Sequence, residues 1–286
     1  MNTTKKISRR GFFEKTIFGA AFTAAVPALV AQEYGGKKIP IGLQLYSVRK
    51  ECEKDLPGTI AAVAKMGYKG VEFAGYYGRD AKTLRKMLDD NGLKCCGTHI
   101  QIDTLLGDNL QKTIEFNQTI GNKFLIVPGL PQKYTNSKKA WQDTADLFNE
   151  LAAKVKPFGM RVGYHNHSSE FKEIEGEKPW DIFFGRTIKD VVMQFDVGNA
   201  MHGGGDVIVY LKKYPGRAAT MHIKPFAKNN PKALFGEDDL NWKEIFKLAE
   251  SIGGTEWYIV EYESDAFPPL ISVEKCLQTL KSWGKC

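Results

Sequence analysis

Lys65-Met66-Gly67-Tyr68-Lys69-Gly70-Val71-Glu72-Phe73 closes a helix and opens a strand within a few residues. The amphipathic run from Leu56 to Met66 supplies the helix. Gly67 then stands where the left-handed C′ conformation ends a helix, a conformation open to glycine without steric cost. The β-branched and aromatic run that follows reads as a strand. The same order recurs along the chain. Asp90-Asn91-Gly92-Leu93 leads into Lys94 to His99, Phe158-Gly159 into Met160 to His165, and Ile252-Gly253-Gly254 into Trp257 to Glu261.

Working outward from these junctions predicts eight strands, at residues 40–46, 69–73, 94–99, 123–127, 160–167, 191–196, 218–223 and 257–261. Helical patterns lie between them, among them Leu56 to Met66, Lys82 to Asp90, Asn109 to Ile120, Lys138 to Lys156, Val207 to Lys213, Trp242 to Ser251 and Val273 to Trp283. Strict alternation of strand and helix means parallel strands joined by right-handed crossovers. Eight such units, with no Gly-rich dinucleotide fingerprint after the first strand, predict an α/β protein with a closed (β/α)8 TIM barrel over residues 32–286. The length of 286 residues, 43% of them hydrophobic, accommodates a core of that size.

Residues 1–31 follow a different pattern. Lys5, Lys6, Arg9 and Arg10 precede an apolar, Ala-rich run from Ile17 to Ala31 that ends in small residues, as a signal peptide does. Ser8-Arg9-Arg10-Gly11-Phe12-Phe13 resembles the twin-arginine export motif, with Lys15 one place later than usual. The expectation is export to the periplasm, with cleavage after Ala28 or Ala31 and no membrane span in the mature chain. This segment carries five basic and one acidic side chains, so it accounts for +4 of the net charge of +7 and leaves +3 on the remainder. With no Lys/Arg cluster interleaved with aromatics, a nucleic-acid partner is not expected. The five cysteines include no C-x-x-C pair and suggest neither a zinc site nor a nucleophile.

Active sites of such barrels lie at the C-terminal strand ends, and here those ends are rich in imidazole and carboxylate groups. Strand 5 runs out in Tyr164-His165-Asn166-His167-Ser168-Ser169-Glu170, strand 6 in Phe195-Asp196-Val197-Gly198-Asn199, strand 7 in Met221-His222-Ile223-Lys224, and strand 8 in Val260-Glu261-Tyr262-Glu263. Period-two alternation puts His165 and His167 on one side of strand 5 and can turn Asp196, His222 and Glu261 into the barrel mouth. Mixed imidazole and carboxylate donors without thiolate suit one divalent ion, Mn, Mg, Co, Fe or Zn. Gln44, Glu72 and His99 end strands 1 to 3 and, with Asn199 and Glu263, are candidate substrate-binding residues. Lys224 shares the face of His222 and is placed to hold a substrate oxygen or an enolate.

These motifs, with Ile41-Gly42-Leu43-Gln44-Leu45-Tyr46-Ser47-Val48-Arg49 and Gly236-Glu237-Asp238-Asp239-Leu240-Asn241-Trp242, resemble the xylose-isomerase-like barrel superfamily, often labelled sugar phosphate isomerase/epimerase. The resemblance spans essentially the whole chain beyond the leader. It implies a divalent metal held by Asp196, His222, Glu261 and a carboxylate from strand 5. Many relatives have Glu at the position of His165. Glu170 is the nearest carboxylate and is taken as the fourth ligand, with His165 and His167 as acid–base or substrate groups and one of the two ligating as the alternative. Two departures stand out: His-Ile-Lys-Pro at strand 7, where Asp often follows Lys, and Gly236-Glu237-Asp238 in place of Gly-Glu-Gly.

The expected function is a metal-dependent isomerase, epimerase or lyase that removes a proton alpha to a carbonyl, with His165, His167 and Lys224 as catalytic residues. An exported protein without a phosphate-cradling Gly-rich loop points to an unphosphorylated keto sugar or keto-glycoside. The alternatives are a sugar-binding barrel without turnover and an abasic-site endonuclease.

Overall fold

The computed structural model describes residues 38–286, so the expected leader and its expected cleavage points lie outside the described residues. Eight parallel strands close into one barrel in chain order. They are β1 (Ile41–Gln44), β2 (Gly70–Ala74), β3 (Lys94–His99), β4 (Phe124–Val127), β5 (Arg161–His165), β6 (Val192–Asp196), β7 (Thr220–Ile223) and β8 (Trp257–Val260). The helices are α1 (Arg49–Met66), α2 (Ala81–Asp90), α3 (Asn109–Ile120), α4 (Lys138–Val155), α5 (Pro179–Arg186), α6 (Val197–Gly203), α7 (Val207–Lys213), α8 (Trp242–Leu248) and α9 (Pro269–Ser282). None of the described helices is long and apolar enough to cross a membrane.

The eight strands fall where the sequence places them. Residues 45–48, expected within or beside strand 1, form a 3-10 turn instead, capped by the Gln44 side chain, which accepts from the Tyr46 N–H. Strand 5 stops at His165 rather than 167. Beyond it the Asn166 side chain replaces the ladder, donating to the Asp196 carbonyl at 2.9 Å and accepting from the Asp196 N–H at 2.8 Å.

Two apolar layers hold the barrel. Outward strand residues such as Leu43, Val71, Tyr164, Phe195, Met221 and Tyr258 pack against the helices in one continuous core. Inside, Phe124, Ile126, Val192 and Ala219 form a separate plug, with Trp257 packed against it. Gly163 on β5 makes the plug possible, since a Cβ there would lie 2.7 Å from both Ile126 and Val192 side-chain atoms. Because the bottom of the lumen is filled, polar groups on the inner face are confined to the upper layers, toward the strands' C-terminal ends.

Candidate metal and active site

Asp196 closes β6 and also starts α6. Its Oδ1 accepts from the Asn199 N–H at 2.6 Å as the helix N-cap. Its Oδ2 is buried and has no hydrogen-bond partner. An orphaned carboxylate oxygen in a barrel interior is costly unless something satisfies it. His222 Nδ1 lies 3.7 Å from that oxygen and 2.8 Å from Glu261 Oε2. His165 completes the group. The ligand atoms of His165, Asp196, His222 and Glu261 all fall within 4.8 Å of one another, and all four residues are buried.

Four of the chain's five histidines surround this point. The His99 ring stacks on His222 with centroids 5.3 Å apart and planes 8° from parallel. The His165 ring stands edge-on to His222 at 4.6 Å and to His167 at 5.1 Å. His165 is buried, whereas His167 is exposed at the mouth just past the end of β5. Lys224 reaches over from the end of β7, 3.0 Å from Glu261 Oε1 and 2.5 Å from Glu263 Oε1. Gly198 gives it room, because a Cβ there would meet the Lys224 stem at 2.8 Å.

Other expected site residues lie elsewhere. Glu170 is buried on the turn after β5, where it accepts from the Tyr164 hydroxyl at 2.9 Å and from the His167 N–H at 2.8 Å. Among the described residues two groups could hold a metal, one of His165, Asp196, His222 and Glu261 and one of His99, His165 and His222; both contain His165 and neither contains Glu170. Both Glu170 oxygens brace the loop that carries His167. Gln44 and Glu72, expected at the substrate, are fully buried beneath the cluster. Asn199 is tied back to the Asn166 carbonyl at 3.3 Å. Asp238, in the departing loop, accepts from the Trp242 indole and the Leu240 N–H.

A family model described as a xylose isomerase-like TIM barrel matches residues 60–283. The chain belongs to the xylose isomerase-like TIM barrel family. It is 25% identical to an inosose dehydratase of Clostridium perfringens, with 72% of this chain and 82% of that protein covered. An inosose dehydratase of Serratia proteamaculans is 27% identical at the same coverage. Among solved structures, a sugar phosphate isomerase/epimerase from Parabacteroides distasonis superposes with a TM-score of 0.74 at 27% identity, covering 85% of this chain and 98% of that one. An L-ribulose 3-epimerase, at 14% identity and TM-score 0.63, shares the fold over 86% of this chain and 94% of its own.

In this xylose isomerase-like barrel the electrostatics show how the buried charges are balanced. Burial opposes ionisation of Glu261, but Lys224 and His222 outweigh it and hold the carboxyl well below its ordinary range. Burial likewise disfavours the His222 imidazolium, yet Glu72, Asp196 and Glu261 hold its proton on far above the usual imidazole range. His165 is pushed the other way, first by burial and then by the neighbouring His222 and His99. Burial raises the Glu263 carboxyl, against the pull of Lys224. A divalent cation fits this set: Asp196 offers an unpartnered oxygen, and two imidazoles and two carboxylates converge without a thiolate.

The sequence reading passed over Gln194. It is fully buried on β6, with its Oε1 2.7 Å from His99 Nε2 and 3.1 Å from His165 Nδ1. Its position two residues before Asp196, on the same face of the strand, was the available signal.

Proposed function

We propose that this protein is a divalent-metal-dependent enzyme that removes a proton alpha to a carbonyl on an unphosphorylated keto sugar or keto-glycoside, and then either returns it elsewhere or eliminates a β-substituent. The buried convergence of His165, Asp196, His222 and Glu261, with one Asp196 oxygen unpartnered, carries the proposal. Dehydratases and epimerases among similar proteins support the same chemistry, because elimination and epimerisation both begin by removing such a proton.

His165, Asp196, His222 and Glu261 would hold the metal. With two imidazoles among the donors, Mn, Co, Fe and Zn fit better than Mg. The bound ion would supply Lewis-acid polarisation of the carbonyl. Lys224, steadied by Glu261 and Glu263, places a positive charge at the mouth to stabilise a developing enolate oxygen. His167 is the exposed imidazole beside the cluster, placed to take and return the proton, and Glu170 fixes its backbone. The unphosphorylated substrate class and a periplasmic location both rest on reading Arg9-Arg10 and the Ala-rich run after it as an export leader.

The test is proton exchange in D2O by metal-loaded protein with a panel of keto sugars and keto-glycosides, followed by NMR and mass spectrometry. Deuterium incorporation or an unsaturated product is expected. No exchange into any member of the panel, with metal shown to be bound, overturns the proposal.

A further inference from the structure

Beneath the cluster lies a carboxylate that the chemistry above does not use. Glu72 is fully buried in the lumen, and the fold makes space for it. The pairing of β2 with β3 skips Cys96, passing from Val71 opposite Cys95 to Glu72 opposite Gly97. A Cβ on Gly97 would stand 2.2 Å from Glu72 Oε1. Four polar groups converge on the two Glu72 oxygens: Gln44 Nε2 at 2.8 Å, Gln194 Nε2 at 2.8 Å, His222 Nε2 at 2.5 Å and His99 Nε2 at 3.2 Å.

An ionised carboxylate only accepts hydrogen bonds, which orders the whole layer. His222 must carry a hydrogen on Nε2, so Nδ1, which faces Asp196 and Glu261, is the nitrogen that would exchange its proton for a cation. Gln194 must turn its amide nitrogen to Glu72 and to Thr220 Oγ1 at 3.0 Å, so its Oε1 is the atom facing the histidines. A carbonyl oxygen also only accepts. His165 therefore carries its hydrogen on Nδ1, 3.1 Å from Gln194 Oε1, and has Nε2 to offer.

We propose that Glu72 and Gln194 are positioning residues that fix opposite tautomers on the two histidine ligands, so that His222 presents Nδ1 and His165 presents Nε2 to the metal. This rests on the ligand set proposed above. Outer carboxylates and amides of this kind hold a ligand ring in one orientation, and their loss typically weakens metal binding by about 10- to 100-fold. Glu72 is thereby assigned to the ligands and not to the substrate.

The experiment measures Co2+ affinity of the full chain by visible absorption against a competing chelator, and assigns the ring nitrogens by long-range 1H–15N spectroscopy on Zn2+-loaded, 15N-histidine-labelled protein. The expected wild-type pattern is Nε2–H with Nδ1 ligation for His222, and Nδ1–H with Nε2 ligation for His165. Glu72→Met, which replaces the carboxylate by a weakly accepting thioether, should weaken Co2+ about 10- to 100-fold. Glu72→Gln keeps a neutral acceptor and should fall between Glu72→Met and wild type. Asp196→Asn tests the ligand set itself. If it leaves Co2+ affinity unchanged, the ligand set fails and the positioning role falls with it. If Asp196→Asn loses the ion while both Glu72 variants bind it like wild type, or if the nitrogens are reversed, the ligand set stands and only the positioning role is overturned.

Discussion

Replacing Gly97 by alanine asks whether the space around Glu72 is as tightly defined as the geometry indicates. The added methyl carbon would sit 2.2 Å from Oε1, 3.1 Å from Cδ and 3.3 Å from Cγ of Glu72. A free side-chain end could swing away, but this one is held by Gln44, Gln194 and His222. Overpacking alone costs about 1–3 kcal/mol. Displacing the carboxylate enough to lose one charge-assisted hydrogen bond adds about 1.5–3 kcal/mol. The expected destabilisation is therefore about 2.5–6 kcal/mol, or a fall in Tm of roughly 5 to 24 °C for a domain of this size.

Urea unfolding of metal-free protein measures it, with Gly129→Ala as the control, since nothing lies within 4 Å of a Cβ there. The decisive comparison is a double-mutant cycle. On a Glu72→Ala background the obstacle is gone, so Gly97→Ala should cost close to nothing, giving a coupling about equal to its whole cost in wild type. A Gly97→Ala protein within about 0.5 kcal/mol of wild type, in the range of an unremarkable surface change, or a cycle without coupling, refutes the reasoning.

In metal-free protein, His222 is held above the ordinary imidazole range, so its contribution is fully present below about pH 6.5 and is lost as pH rises through its folded value. Glu72 and Glu261 are held below the carboxylate range, so theirs is present above about pH 4.3 and is lost as pH falls through their folded values. The stability difference between wild type and His222→Gln, read from urea midpoints, should peak between those two pH values and shrink above them; a difference flat from pH 5 to 9 contradicts this. Lys224→Met should lower kcat about 100- to 1,000-fold, the effect of losing one oxyanion-stabilising group, while Co2+ affinity stays within a few-fold in the chelator competition. His167→Ala should cost about 100- to 10,000-fold in kcat, the range for a general acid–base group, with metal binding kept; near-wild-type turnover would move proton transfer to another residue.

The barrel was legible because its grammar is local. Gly67, Gly92, Gly159 and Gly254 all take positive φ at the junctions where helices hand over to strands. Asp196, His222 and Glu261 were legible too, since period-two alternation on a parallel strand fixes which side chains look inward. Other features depend on the third dimension. The Asn166 side chain ends β5 early by pairing with a residue distant in sequence. The space that Glu72 fills depends on a register skip between β2 and β3 that no local pattern announces. Helix α6 went unnoticed because Val197-Gly198-Asn199 looks like a loop, and what starts it is the Asp196 cap.

The strand-5 position shows why residue type alone misleads. Searching for a carboxylate leads to Glu170, five residues beyond His165, but a metal site at a strand end is a matter of direction and distance. His165 is the last residue of β5 and shares the inner face with Gly163, so it points at Asp196 and His222 without a turn in the chain. Glu170 has already bent away and uses its oxygens on the Tyr164 hydroxyl of β5 and the His167 N–H of its own loop. An imidazole rather than a carboxylate at this point adds no further negative charge to a group that already sets Glu72, Asp196 and Glu261 against His222 and Lys224. Were a divalent ion held there, the carboxylates of Asp196 and Glu261 would balance its charge, and Lys224 would keep Glu263 as its partner beside the substrate. With Glu in place of His165, the third anionic ligand would draw Lys224 inward as counter-charge.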